Sequence, residues 1–401
     1  LSADSGKTMA CQATAMVRQG AGPHLPHGQA DVTGKVVLPR SLDHVQTDAR
    51  VSFTGGWAKL PAGDKSLSAG GRIELDTAKG TARLEGVNLK ALGSELKFAA
   101  AGQGLGKEPV WRGDFSLSPL VPRLLLDALR GRKVTTRDPG VLATLEAASE
   151  FVWGKGVLAL NGLRLVLDQT VATGHATVAS FDPPDASFDL EVTELDVDRY
   201  RLPKKHPVTD DGPVDMPVKF LSSIKAKGSL RVGMFNIYGI TGTNIRTEVT
   251  AGGGTITVPW LTADVYGGKL EVAASAQVIK NRLAMRYDFT ARQFQLGELI
   301  KGMADAPYAG GKTDLKTTLT MAGATNEELL ETMDGNGRLD VKDGWLLFTK
   351  PKSQKTATPL KDLIPAKVAG QAKGTVRPDE ATAFGTAGTD IVINDGVIGT
   401  A

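Results

Sequence analysis

Short runs in which apolar and polar residues alternate one by one recur along most of the chain. They limit its fold more than any other feature. Ile73 and Leu75 alternate with Glu74 and Asp76. Phe188, Leu190 and Val192 alternate with Asp189, Glu191 and Thr193. Leu270, Val272, Ala274, Ala276 and Val278 alternate with Glu271, Ala273, Ser275 and Gln277. Leu283, Met285, Tyr287 and Phe289 alternate with Ala284, Arg286, Asp288 and Thr290, and Leu339 and Val341 with Arg338, Asp340 and Lys342. Period two with one polar face specifies half-buried antiparallel strands. Gly-containing breaks such as Gly70-Gly71, Gly252-Gly253-Gly254, Gly267-Gly268 and Asp343-Gly344 separate the runs. Their spacing, roughly 8–12 residues, is that of many-stranded β proteins. Tight hairpins need positive φ, which explains the 47 Gly in 401 residues without any chemistry. Aromatic residues are only 5% of the chain, so its cores are expected to be thin and aliphatic.

Four amphipathic helical segments interrupt the strands. Ser118-Pro119 is read as the opening of the first, with Gly131 closing it. Asp138-Pro139 opens a second, with Val141, Leu142, Leu145 and Ala148 inward. A third runs near Leu296–Met303, and a capping box, Thr325-x-x-Glu328, starts the fourth.

The spacing divides the chain into a flexible lead-in at 1–30 and a strand-rich region at 31–110. A middle region with two helices follows at 111–203, then a Pro-rich hinge at 204–221. A C-terminal strand region spans 222–401, with a polar insertion at 351–380 that carries a short helix around Leu360, Leu363 and Ile364. Both ends look cut, so the chain reads as a piece of a longer protein with any membrane anchor outside it. No stretch reaches the ~18 apolar residues of a transmembrane helix.

Composition and motifs argue against several classes of function. The 47 Lys and Arg nearly balance 44 Asp and Glu, for a net charge of +3, which does not suit a nucleic-acid binder. A single cysteine excludes an internal disulfide and a multi-cysteine zinc site. Gly102-x-Gly104-x-Gly106 is followed by Glu108-Pro109 and reads as a hairpin loop, not a phosphate loop. His24-x-x-His27 with Cys11 lacks a fourth ligand and reads as tail. Asp182, Asp185, Asp189, Asp196 and Asp198 lack the spacing of a calcium loop and read as a solvated strand face. No catalytic motif has a matching context, so no enzyme, cofactor or metal is expected.

The apolar strand face is the informative feature. About 20 strands in one sheet would extend about 95 Å, which forces curling, splitting or covering. Pattern alone leaves two outcomes, a two-layer sandwich or an elongated trough lined by Leu, Val, Ile and Ala.

Residues 115–203 resemble the AsmA family. The matching order is a Phe-Ser-Leu strand at Phe115, the helix Leu124-Leu125-Leu126-Asp127-Ala128-Leu129, Asp138-Pro139, and a hairpin through Leu163-Arg164-Leu165. The phrase Leu195-Asp196-Val197-Asp198-Arg199-Tyr200 closes it. Gly228-Ser229-Leu230-Arg231-Val232 and Leu261-Thr262-Ala263-Asp264-Val265-Tyr266-Gly267-Gly268 extend the resemblance, so that it spans about 111–401. It makes the middle and C-terminal regions AsmA-like.

The resemblance implies the periplasmic part of an inner-membrane-anchored, Gram-negative envelope protein. It would bind or conduct phospholipid between inner and outer membranes and support outer-membrane assembly. Relatives of the TamB type are elongated, half-open β troughs, which favours the trough. The expected fold is therefore mainly β: a long curved antiparallel sheet forming an elongated apolar trough. Phospholipid acyl chains are the expected partner, with Leu270, Val272, Leu283, Met285, Tyr287 and Phe289 as the lining. Outer-membrane assembly proteins are a further partner under the alternative, a non-enzymatic scaffold that acts through sheet-edge contacts. A transmembrane barrel fits less well, because a girdled lipid-facing band is missing.

Overall fold

A computed structural model describes residues 7–17, 27–38, 44–56, 66–91, 93–106, 108–130, 133–201, 216–304, 309–346, 358–359 and 381–400. The chain is mainly β and divides into two compact units, Leu1–Ser180 and Phe181–Ala401. Among the described residues no helix is long and apolar enough to cross a membrane.

The first unit is an antiparallel meander. Its strands are β1 (Lys7–Val17), β2 (His27–Leu38), β3 (His44–Gly56), β4 (Ser66–Asp76), β5 (Thr81–Ala91), β6 (Ser94–Gln103) and β7 (Val110–Leu120). Helix α1 (Pro122–Arg130) follows, then β8 (Leu145–Gly154), β9 (Val157–Leu167) and β10 (Thr170–Phe181). Each strand pairs with the next. Phe98 and Phe151 stack at 5.3 Å on one face, across the intervening β7.

Three expectations for this unit change. Within the stretch read as a lead-in, residues 7–17 and 27–30 are strand, in register from Lys7↔Leu38 to Val17↔Gly28, and the remainder lies outside the described residues. The strand alternation there is carried by Ala, Met and Cys, too weakly apolar to stand out in the sequence. The first helix begins at Pro122, because Ser118 belongs to β7, where its hydroxyl accepts from Glu95 N at 2.7 Å and its carbonyl accepts from Ser94 Oγ at 2.8 Å.

The helix expected at Asp138 is absent. The Asp168 carboxylate takes the amides of Leu142, Ala143 and Thr144 at 2.8, 2.8 and 3.1 Å. This fixes a loop with Leu142 at φ 59°. Leu145 and Ala148 then continue as β8, opposite Leu167 and Arg164.

The second unit begins with β11 (Pro184–Asp196), α2 (Val197–Tyr200) and α3 (Val218–Ser223). Next come β12 (Lys225–Ile237), β13 (Ile240–Gly252), β14 (Thr255–Val265), β15 (Gly268–Ile279), β16 (Arg282–Gln295), α4 (Leu296–Ala304), β17 (Ala309–Gly323), α5 (Asn326–Glu331) and β18 (Asp334–Leu346). The unit ends with β19 (Thr358–Pro359), β20 (Thr382–Asn394) and β21 (Val397–Thr400).

Antiparallel pairing runs from β12 to β18, then to β20, β21 and β19. β11 pairs with β12 in parallel, which a tight turn cannot connect, and 197–224 makes the crossover. The hinge expected at 204–221 falls inside this crossover. Residues 202–215 lie outside the described residues, and 218–221 form part of α3, not a linker. The insertion at 351–380, with its expected helix, lies outside the described residues except for β19.

The acidic phrase that closes β11 is not a solvated face throughout. Asp196 caps α2 by accepting from Arg199 N. Asp198 is buried, with 6% exposure, and its carboxylate accepts from Tyr238 N at 2.9 Å and Gly239 N at 2.7 Å in the β12–β13 turn. Arg201 donates to it at 3.2 Å and lies 4.0 Å over the Tyr238 ring. α4 and α5 form where expected. Thr325 Oγ1 accepts from Glu328 N at 3.2 Å, while Glu328 reaches past the cap to Ala324 N at 2.9 Å.

Candidate functional site

Antiparallel ladder partners share a sheet face. In the second unit, Leu270 sits opposite Ala291, Val272 opposite Phe289, Ala276 opposite Met285 and Val278 opposite Leu283. On the far side of β16, Met285, Tyr287 and Phe289 meet Met321, Leu319 and Thr317. On the other flank, Val272 and Leu270 meet Leu261 and Ala263 of β14. All six residues expected to line an apolar surface therefore occupy one face of two neighbouring strands, β15 and β16. Leu270 also packs against the buried cluster of Val232, Phe235, Ile245, Ala263 and Val265, which carries the face on to β12.

The opposite face is a ladder of charges. Arg286 pairs with Asp288, which accepts from Thr318; Arg292 pairs with Glu271; Lys269 and Asn244 hold Asp264; Arg338 bridges Asp340 and Asp390. The Thr318 hydroxyl and then Arg286 hold the Asp288 carboxyl below its usual pKa. Lys269 and then Asn244 do the same for Asp264. Exposed pairs of this kind add little stability.

The apolar face is curled. In a flat sheet β13 and β17 would be four strand spacings apart, about 19 Å. α4 has nine residues, about 13 Å, yet it packs on both strands. Side-chain positions at its two glycines show how closely: a Cβ on Gly297 would lie 3.7 Å from Gly310 Cα, and one on Gly302 would lie 2.7 Å from Gly239 O. At the other end of the strands, α3 packs on β14 and β15, and α5 on β17. The two are joined by Met216 N donating to Ala324 O at 2.8 Å. Helices therefore bracket the strand ends, while the middle of the face is half-exposed.

The lining candidates divide accordingly. Leu283, beside Gly323 where α5 docks, is 5% exposed and belongs to the closed end. Leu270, Val272, Met285, Tyr287 and Phe289 are half-buried. The Tyr287 and Phe289 rings stack at 5.7 Å, and Tyr287 Oη donates to Met285 Sδ at 3.8 Å. Burial pushes the Tyr287 phenol above its usual pKa. Met321, Leu319 and Leu261 complete the surface. The first two were legible as alternation with Thr320 and Thr318, whereas the register shift between Val258 and Leu261 hid the third.

The chain's own chemistry at this face is dispersion and desolvation. Polar side-chain groups near its centre include the hydroxyls of Tyr287, Thr317 and the buried Thr247. Among the described residues no group of His, Cys, Asp and Glu could hold a metal ion. Cys11 and His27 lie on β1 and β2 opposite Gly34 and Gly56, and the offset of seven residue steps from His27 to Gly34 along β2 separates them by about 23 Å.

The AsmA family matches the chain over residues 218–400. Those residues are an AsmA family domain. The domain starts at α3 and ends with β21, so it holds the whole curled apolar face. Of the resemblance read from the sequence over 111–401, the match covers the C-terminal part. Comparison with curated proteins and with solved structures gives no match.

Proposed function

We propose that the AsmA domain holds phospholipid acyl chains on its apolar face. It would do so as the non-enzymatic, periplasmic part of an inner-membrane-anchored protein that passes lipid toward the outer membrane and supports its assembly. The observation that carries this reading is the half-exposed centre of the face between helix-closed ends. A core would be covered there, and a soluble surface would be polar. Each CH₂ group removed from water contributes about 0.8 kcal/mol, so a surface of Leu, Val, Met, Tyr and Phe needs no catalytic constellation to retain a lipid. Headgroups would remain in water.

Native mass spectrometry of protein purified without detergent, followed by solvent extraction, tests this. Near-stoichiometric phospholipid is expected. Val272→Asp and Met285→Asp should reduce it by at least about tenfold, since each removes one apolar side chain's burial and introduces a charge. Arg286→Gln, on the opposite face, should leave it unchanged.

A second reading has its own observation. β21 covers β20 only over Ile391–Asn394, so among the described residues Thr382–Asp390 has ladder partners on one side alone. A scaffold that adds an extended partner segment at that edge would use it. Lipid-free, well-folded protein would sink the first reading and leave this one.

A further inference from the structure

Helix α1 differs from the helices of the second unit in what holds it. α4 and α5 pack on β17, whereas α1 is hydrogen-bonded to the loop that follows it. Arg123 is the centre of that grip. Its guanidinium donates to Val134 O at 2.6 Å, Thr136 Oγ1 at 2.8 Å, Pro139 O at 3.3 Å and Val141 O at 2.6 Å. Its own amide donates to Leu142 O at 3.1 Å, and Val141 is fully buried. The helix is therefore anchored through a polar residue, and Leu124 is left exposed. Leu124 is 41% exposed, Val121 just before the helix 37%, and Leu125 and Leu126 are half-buried.

The charges beside this apolar strip are sorted. Asp127 accepts from Val134 N, Asp138 from Gly140 N and Asp168 from three loop amides, so all three carboxylates turn inward onto backbone. Lys133 and Arg137 are exposed and have no acidic partner among the described residues. They flank Val134 and Thr136, the groups that Arg123 grips. A short amphipathic helix with outward leucines, next to unpaired outward cations, matches the chemistry of an anionic membrane surface. Its apolar side enters the headgroup boundary and its cations meet lipid phosphates.

We infer that α1 and residues 133–137 form an interfacial docking surface for a bilayer that contains anionic phospholipid. This surface is in the first unit and does not depend on acyl chains binding to the AsmA domain.

Co-sedimentation of the 401-residue chain with vesicles tests it. One set is phosphatidylcholine alone, the other three parts phosphatidylcholine to one part phosphatidylglycerol. Binding is expected to the second set and to be much weaker on the first. The Lys133→Gln, Arg137→Gln double variant should bind the anionic vesicles about 25-fold less well, from roughly fivefold per cation. Leu124→Glu should lose at least about tenfold. Both change exposed side chains, and an unchanged melting temperature verifies that they fold. Met285→Asp should bind vesicles normally whatever it does to extracted lipid. Equal binding to both vesicle sets, or variants that bind like the parent, would overturn the inference. Self-association abolished by Leu124→Glu, with no vesicle binding, would overturn it in favour of a second copy of the chain.

Discussion

Glycine and aromatic residues answer each other across the strands. A Cβ on Gly242 would lie 2.6 Å from carbons of the Phe235 ring, and similar ring-over-glycine pairs join Gly102 to Trp111, Gly228 to Phe188 and Gly344 to Phe384. The missing side chain lets the ring lie flat on the neighbouring strand, which is why many glycines and few aromatics suffice. Gly242→Val should therefore cost about 1–3 kcal/mol, read as a lower melting temperature, although Gly242 has ordinary extended backbone. Asp198 is the second residue with a structural duty that composition conceals. Burial alone would raise its pKa; the amides of Gly239 and Tyr238 and the adjacent Arg201 outweigh this and hold the carboxyl below its usual value. A depressed folded pKa stabilises the protein above the unfolded value, near 3.9, and that contribution fades as pH falls through the folded one. Asp198→Ala should lower stability by about 1–3 kcal/mol at pH 7. The gap between variant and parent should narrow below about pH 4, as denaturant titrations at several pH values would show.

The elements differ in how far local sequence decides them. β15 and β16 are uninterrupted alternations, and their ladder runs without a shift from Lys269↔Arg292 to Ile279↔Arg282. The capping box at Thr325 likewise names α5 from three residues, and Thr325→Ala should cost about 1 kcal/mol in a thermal or denaturant melt. The segment after α1 has helical spacing at Val141, Leu142, Leu145 and Ala148, yet it forms a loop and then β8. The amides that a helix would use are taken by Asp168, some 25 residues away, and no local rule contains that partner. α4 shows the same dependence from the other direction. Its sequence predicts a helix, but its place across the strand ends rests on Gly302 meeting Gly239. Gly302→Val, whose side chain would collide with Gly239 O and approach Tyr266 Oη at 3.0 Å, should loosen the helix. Faster hydrogen exchange in the β12–β13 turn would report this.

At the scale of the molecule, each unit is a long sheet built mostly from strands adjacent in sequence, so most pairings close short loops and little depends on distant contacts. Damage should then stay within its unit. Asp198→Ala is expected to speed amide exchange in β12 and β13 and to leave the strands around the Phe98–Phe151 stack unchanged. Local patterning was enough to specify the β class, the antiparallel hairpins and the sidedness of the strands, including the shared face of the six residues on β15 and β16. Period-two patterning is local, and a one-residue slip would turn every side chain over. Tertiary structure alone decided that Leu283 is closed off while Met285 and Tyr287 stay half-exposed, that β11 returns parallel to β12, and that Asp198 is buried in a turn 40 residues away. Those outcomes depend on which helix meets which strand end, and alternation, identical along the whole strand, carries no information about its ends.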